Sequence, residues 1–199
     1  MKLRGTTHFI MIGGTTLLLC AGLAIPAAQA ASSSKTGEAA SISKTNTAPA
    51  AKTFMQEAAS GGLMEVELGK IAAQRASSSD VKEFGQRMIT DHTKANHELK
   101  DLAARKNVTL HERLDAKQEA EVTRLSKLSG HEFDQSYMKA MTTDHEHDVA
   151  AFKKAASSSP DADVKSFASE TLPTLEDHLS NARRVEAEVN RTKTSRAGE

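Results

Sequence analysis

From Thr53 to Asn190 apolar residues return every three or four positions, the spacing of helices that each bury one face. The first predicted helix, Thr53–Ala76, carries Phe54, Ala58, Leu68 and Ala72 and is broken by Ser77-Ser78-Ser79. The second opens at Asp80, with Glu83 three positions on as a capping-box pair. Its stripe is Val81, Phe84, Met88, His92, Ala95, Leu99 and Leu102. Asn107 to Leu110 reads as a turn. A shorter third helix follows over His111–Leu128 and ends at Ser129-Gly130. The fourth, His131–Ala156, shows Phe133, Tyr137, Met141, His145, Val149 and Phe152. The fifth, Asp161–Asn190, shows Val164, Phe167, Leu175, His178, Ala182, Val185 and Val189, with Pro173 inside it. No segment alternates like a strand. Amphipathic helices joined by short turns predict an all-α, antiparallel bundle of four to five helices over residues 53–190. Gly61, Gly62, Gly69 and Gly85 inside helices are expected where helices approach closely.

Outside the bundle the pattern fails in two different ways. Lys2 and Arg4 precede an uncharged apolar run from Phe9 to Ile25, and Ala28 and Ala30 make a small-x-small site. Residues 1–30 therefore read as a signal peptide cleaved after Ala30, and the protein as exported to the periplasm or associated with the outer membrane. Leu19 before Cys20 argues against a lipid-modified start. Residues 31–52 are rich in Ser, Thr and Ala and read as a disordered leader. Residues 191–199 read as a polar tail.

Charge narrows the partners. The 26 basic residues match the 26 acidic ones, and cleavage removes Lys2 and Arg4 to leave a net charge of −2. No nucleic-acid partner is expected from that balance. A single Cys permits no internal disulfide, and its loss on cleavage leaves no disulfide partner. An envelope surface or a second copy of the chain are the remaining partner classes.

The internal echo Met88-Ile89-Thr90-Asp91-His92 and Met141-Thr142-Thr143-Asp144-His145 fits two related hairpins, first-plus-second and third-plus-fourth helices. Equally, it fits two helices meeting the same packing demand. With Asp177-His178 it makes three Asp-His pairs, each placing its His on an apolar stripe near mid-helix. Glu65 holds the matching place on the first helix. Mid-helix positions share one level in an antiparallel bundle, so Glu65, His92, His145 and His178 form a candidate metal site. The donors suit iron, zinc, copper or manganese. Binding of this kind is expected to weaken as pH falls through ~6.5, the ordinary imidazole pKa. Asp91, Asp144 and Asp177 stand about 100° around the helix from their histidines and are expected to be rim residues or to orient imidazoles rather than ligate. Glu67, Glu121, Asp148 and Glu176 are possible extra carboxylates, though such residues are more often solvated face charges, and His97, His111, His131 and His147 read as surface. The competing reading makes the buried histidines hydrogen-bonded core residues. Without a phosphate loop, a Ser elbow or a remaining Cys, no residue is given a catalytic role.

The chain carries Gly61-Gly62-Leu63-Met64-Glu65-Val66-Glu67-Leu68-Gly69, Val81-Lys82-Glu83-Phe84, Met88 to His92, Phe133 to Met138, Asp144-His145 and Thr171 to Leu179. By these motifs, across Phe54 to about Val189, it resembles a bacterial exported family, domain of unknown function 4142. The resemblance implies a ferritin-like bundle in an exported or outer-membrane protein and no assigned activity. The di-iron pattern of ferritins wants Glu three residues before His, whereas Ile89, Thr142 and Leu175 stand there. Two functional readings follow: an exported bundle holding a transition metal, or a non-enzymatic envelope or stress-related structural protein.

Overall fold

The computed structural model of the chain describes residues 47–196. The signal segment, Cys20, residues 31–46 of the leader and residues 197–199 lie outside the described residues. Five helices follow: α1 (Pro49–Arg75), α2 (Ser79–Arg105), α3 (Ala116–Ser126), α4 (Gly130–Ser158) and α5 (Ala162–Arg196). No strand occurs among the described residues, and no helix among them is long and apolar enough to cross a membrane.

The helix ends differ from the sequence-based expectation for local reasons. Helix α1 starts at Pro49, four residues into what read as leader; proline suits a first turn because it has no N–H to leave unpaired. Ala51 there is buried in the core. Helix α5 continues through Pro173 and runs to Arg196, so residues 191–196 are helical rather than a loose tail. Nothing in that segment breaks a helix, and Val185 and Val189 anchor the turns before it.

Helix α3 starts at Ala116, five residues later than expected. Asp115 accepts from the Gln118 N–H at 2.8 Å, and the Gln118 side chain accepts from the Asp115 N–H at 3.0 Å, a reciprocal capping box. The box expected at Asp80 and Glu83 does not form. Buried Asp134, on α4, caps α2 instead: its carboxylate accepts from Ser77 N–H at 3.1 Å, Ser78 N–H at 2.9 Å and the Ser77 hydroxyl. Gly130 begins α4 at φ +61°, a conformation that glycine adopts without strain.

Two apolar clusters fix the topology. One joins Ala51 and Met55 at the start of α1, Leu99 and Leu102 at the end of α2, Phe152 and Ala155 at the end of α4, and Val164 and Phe167 at the start of α5. The other joins Leu68 and Ala72, Val81 and Phe84, Phe133 and Tyr137, and Val185 and Val189, the opposite ends of the same four helices. Helices α1 and α5 therefore run one way, and α2 and α4 the other. Residues 106–129 must then cross the length of the bundle, carrying α3 with them. This up-down-down-up order with one long crossover is the ferritin-like arrangement.

Helix α1 packs chiefly on α2, and α4 on α5. The expected third-plus-fourth hairpin is thus replaced by α4 with α5. The echoed segments fall at matching places on α2 and α4, helices that run parallel. A shared packing demand explains that placement, whereas a repeated hairpin does not. Where α1 meets α2, a methyl on Gly69 would lie 2.6 Å from the Gly85 carbonyl oxygen, so these two glycines permit backbone contact. Gly62 faces the Asn96 side chain, but Gly61 has nothing near it.

Candidate metal centre

Between the two apolar clusters lies one polar layer. Each main helix contributes a side chain: Glu65 from α1, His92 from α2, His145 from α4 and His178 from α5. Their exposures are 0%, 5%, 0% and 0%. One ring nitrogen from each histidine lies within 4.8 Å of the other two. The structure thus brings the three imidazoles together. Glu65 touches two of them, with Oε2 2.7 Å from His92 Nδ1 and Oε1 3.3 Å from His145 Nε2.

The partners of the imidazoles assign their protons. His145 Nδ1 lies 2.9 Å from the Met141 carbonyl oxygen, which can only accept, so Nδ1 carries the N–H. His178 Nε2 lies 2.8 Å from Asp91 Oδ2, so Nε2 donates there. In the neutral rings the other nitrogens present lone pairs. Those nitrogens, His145 Nε2 and His178 Nδ1, face each other at 3.3 Å. Glu65 Oε1, when ionised, adds a third lone-pair donor at the same His145 nitrogen. Neither Glu65 contact is aligned as a hydrogen bond, and both its oxygens, like His92 Nε2, are buried with no hydrogen-bond partner.

Burial keeps the rings neutral. It lowers His145 to about 3, helped by the neighbouring His92 and His178. It lowers His178 to about 4, against the pull of Asp91. His92 is also lowered by burial, against Asp148, Asp144 and Asp91. Burial, and then the charge of Asp144, raise Glu65 well above the usual carboxylate range. These imidazoles therefore stay neutral well below pH 6.5, and the loss of metal binding expected there from ordinary histidines would fall at lower pH.

A positioning chain stands behind the layer. Burial acts to raise the Asp91 carboxyl, but hydrogen bonds from His178 and Arg87 hold it below its ordinary value. Arg87 bridges Asp91 Oδ2 at 3.3 Å and Asp177 Oδ2 at 2.6 Å. Asp91 therefore orients the imidazole of a different helix from its sequence neighbour. Exposed Asp177 touches no imidazole and acts through Arg87. Asp144 does not hydrogen-bond a histidine either; its carboxylate lies within 4.8 Å of Glu65 and Asp148.

The sequence marks Asp148 only as a possible extra carboxylate. It shares that reading with Glu67, Glu121 and Glu176, and those three pair with Lys70, Arg124 and Lys153 at the surface. Asp148 follows His145 by three residues, the spacing that puts both on one face of α4. It helps line a cavity of about 30 Å³ with Glu65, His92 and His178, room for one water or one ion. His97, His111 and His147 are exposed, whereas His131 is partly buried with Nε2 closed off and unpartnered.

Crossover order and a buried polar layer define this chain as an all-helical protein of the ferritin-like type. More particularly, it belongs to the family described as Domain of unknown function (DUF4142), whose sequence profile matches residues 36–185. A crystal structure of a DUF305 fragment from Deinococcus radiodurans is similar in fold. It is 17% identical, with a TM-score of 0.61 over 73% of this chain and 98% of that one. No curated protein matches the chain.

Proposed function

We propose that this protein binds one transition-metal ion in the middle of its bundle, through His92, His145 and His178 with Glu65. The observation that carries the reading is the pair of lone-pair nitrogens, His145 Nε2 and His178 Nδ1, held face to face at 3.3 Å beside a buried, unpartnered carboxylate. Lone pairs repel unless a proton or a cation lies between them. A shared proton is disfavoured near neutral pH, because burial depresses both rings. Ligand atoms ~2.1 Å from one ion at tetrahedral angles stand roughly 3.4 Å apart, so the spacing suits a common metal. The far nitrogens donate to a backbone carbonyl and to a carboxylate, the supports that metal-bound imidazoles ordinarily have. Three imidazoles and a carboxylate suit zinc, iron, copper or manganese.

A melting assay on protein purified without a His tag tests this. At pH 7.5 at least one of zinc, copper(II), iron(II) or manganese(II) raises the midpoint by several degrees, since a hundredfold excess over Kd adds ~2.7 kcal/mol. His145→Ala and His178→Ala abolish the rise, and His147→Ala leaves it intact. If no metal moves the wild type, and His→Ala changes only lower its apo stability, the histidines are core-packing residues and the reading fails.

Export supplies the setting. The charged start, apolar run and Ala28/Ala30 site support a mature chain in the periplasm or at the outer membrane, where envelope metal would reach it. Mass spectrometry of cell fractions is expected to show an N-terminus at Ala31; a chain retaining Met1 would refute the export reading without touching the metal site.

A further inference from the structure

Glu65 faces two sets of side chains. One set is the three imidazoles; the other is Asp144 and Asp148, one turn apart on α4. One oxygen from each of the three carboxylates lies within 4.8 Å of the others. Glu65 is fully buried with both oxygens unpartnered, and Asp144 Oδ2 is also shut away without a partner. Among the described residues the ion pairs of Glu65 are to histidines alone, and none joins Asp144 or Asp148 to a lysine or arginine. Ionised together, three carboxylates at such distances would repel strongly in a medium poorer in water than bulk solvent. A divalent cation placed among them turns that repulsion into coordination.

Space is available on both sides of this trio. The small cavity beside Glu65 is bounded by Asp148. From the surface, a cleft of about 940 Å³ between α1, α3 and α4 reaches Asp144, with Met64, Glu121 and His147 along its walls. Lys117 and Lys139 line the same cleft without pairing to Asp144. Helix α3, which forms one wall, has only Leu125 buried.

We propose a second cation position built from Glu65, Asp144 and Asp148, joined to the imidazole position by Glu65 as a shared carboxylate and filled from the α3 cleft. It deepens the metal-binding reading and rests on it only through Glu65. An all-oxygen donor set prefers a harder ion than the imidazoles do, of the manganese(II), magnesium or calcium class. The two positions therefore differ in taste. The buried one takes an imidazole-preferring metal, and the one nearer the cleft takes a hard divalent cation.

The test uses the full, tag-free mature chain loaded with one equivalent of zinc and then titrated with manganese(II). Free manganese is counted from its electron paramagnetic resonance sextet, and zinc in the same sample by mass spectrometry. The expected result is one further equivalent of manganese bound with zinc retained. Asp144→Asn with Asp148→Asn weakens manganese binding at least tenfold and leaves the zinc in place. Asp148→Asn alone serves if circular dichroism shows the double variant unfolded, and it is expected to weaken manganese in the same direction. Zinc bound with all manganese left free overturns the second position alone, as does a variant that binds manganese like the wild type. No zinc bound, with manganese still lost on substitution, keeps the carboxylate position and overturns the imidazole one.

Discussion

Leu68 and Glu65 sit one turn apart on α1, and both are 0% exposed. Leu68 belongs to an apolar cluster in which burial is itself the stabilising force, ~1.5–3 kcal/mol for a side chain of that size. Glu65 gains nothing comparable: a buried carboxyl with no hydrogen-bond partner costs free energy. On α4 Met141 and His145, and on α5 Leu175 and His178, also set an apolar side chain beside a buried polar one, though each of these imidazoles has a hydrogen-bond partner. Four helices each give up a core position to a polar group at one level. The apolar clusters above and below hold the fold, and the layer between them draws on that stability. The proposed metal would give a reason for a polar layer placed at one level of four helices.

The sharpest separation comes from the apolar side. Leu68→Ala is expected to lower unfolding free energy by about 2–5 kcal/mol in denaturant titrations, while the metal-induced rise in midpoint survives. Loss of the metal effect with little loss of apo stability would mean that the two regions are not independent.

Acidity separates them next. His178 falls from an ordinary value near 6.5 to about 4 on folding, facing Asp91, Arg87, His92 and His145. Its folded pKa is depressed, so its contribution is present above pH 6.5 and is lost as pH falls toward 4. Glu65, raised on folding, has the opposite sign: its contribution is present at low pH and is lost as pH rises. The difference between wild type and His178→Gln isolates the histidine. In apo protein that difference is expected to shift in favour of the wild type by on the order of 3 kcal/mol from pH 4 to pH 7. A shift of the opposite sign would show a cationic His178 paired with Asp91.

A smaller effect is expected at the positioning residue. Asp91→Asn leaves all four proposed ligands in place but weakens the partner that fixes the His178 tautomer. Metal affinity measured by calorimetry is expected to fall about 10–100-fold with the stoichiometry unchanged. Asp177→Asn, one step further out through Arg87, is expected to change it less. Equal losses from the two would remove the chain of contacts as an explanation.

How much of this could be read beforehand depends on whether the cause was local. Glu65, His92, His145 and His178 were visible because helical periodicity and mid-helix placement are local, and antiparallel packing brings such positions level. Asp91 was expected to orient an imidazole, but not that of α5, because adjacency along the chain does not say which helix lies opposite. Asp148 carries the same three-residue spacing from His145 that a solvated charge can have, and only the neighbouring α1 makes it part of the site. The cap on α2 comes from Asp134, more than fifty residues away. No pattern near Ser78 announces it. The long crossover was hidden for a related reason: Leu114 continues the apparent periodicity, while the Asp115–Gln118 capping box starts α3 only after it.

On the proposed reading, three imidazoles converge on one ion. X-ray absorption on tag-free protein carrying one equivalent of zinc tests it directly. The predicted spectrum has nitrogen and oxygen neighbours at ~2.0–2.1 Å with outer-shell scattering from three imidazole rings. His145→Ala protein is predicted to lose ring scattering or the metal itself. A zinc shell made of oxygen alone, with no imidazole scattering in the wild type, would contradict the account.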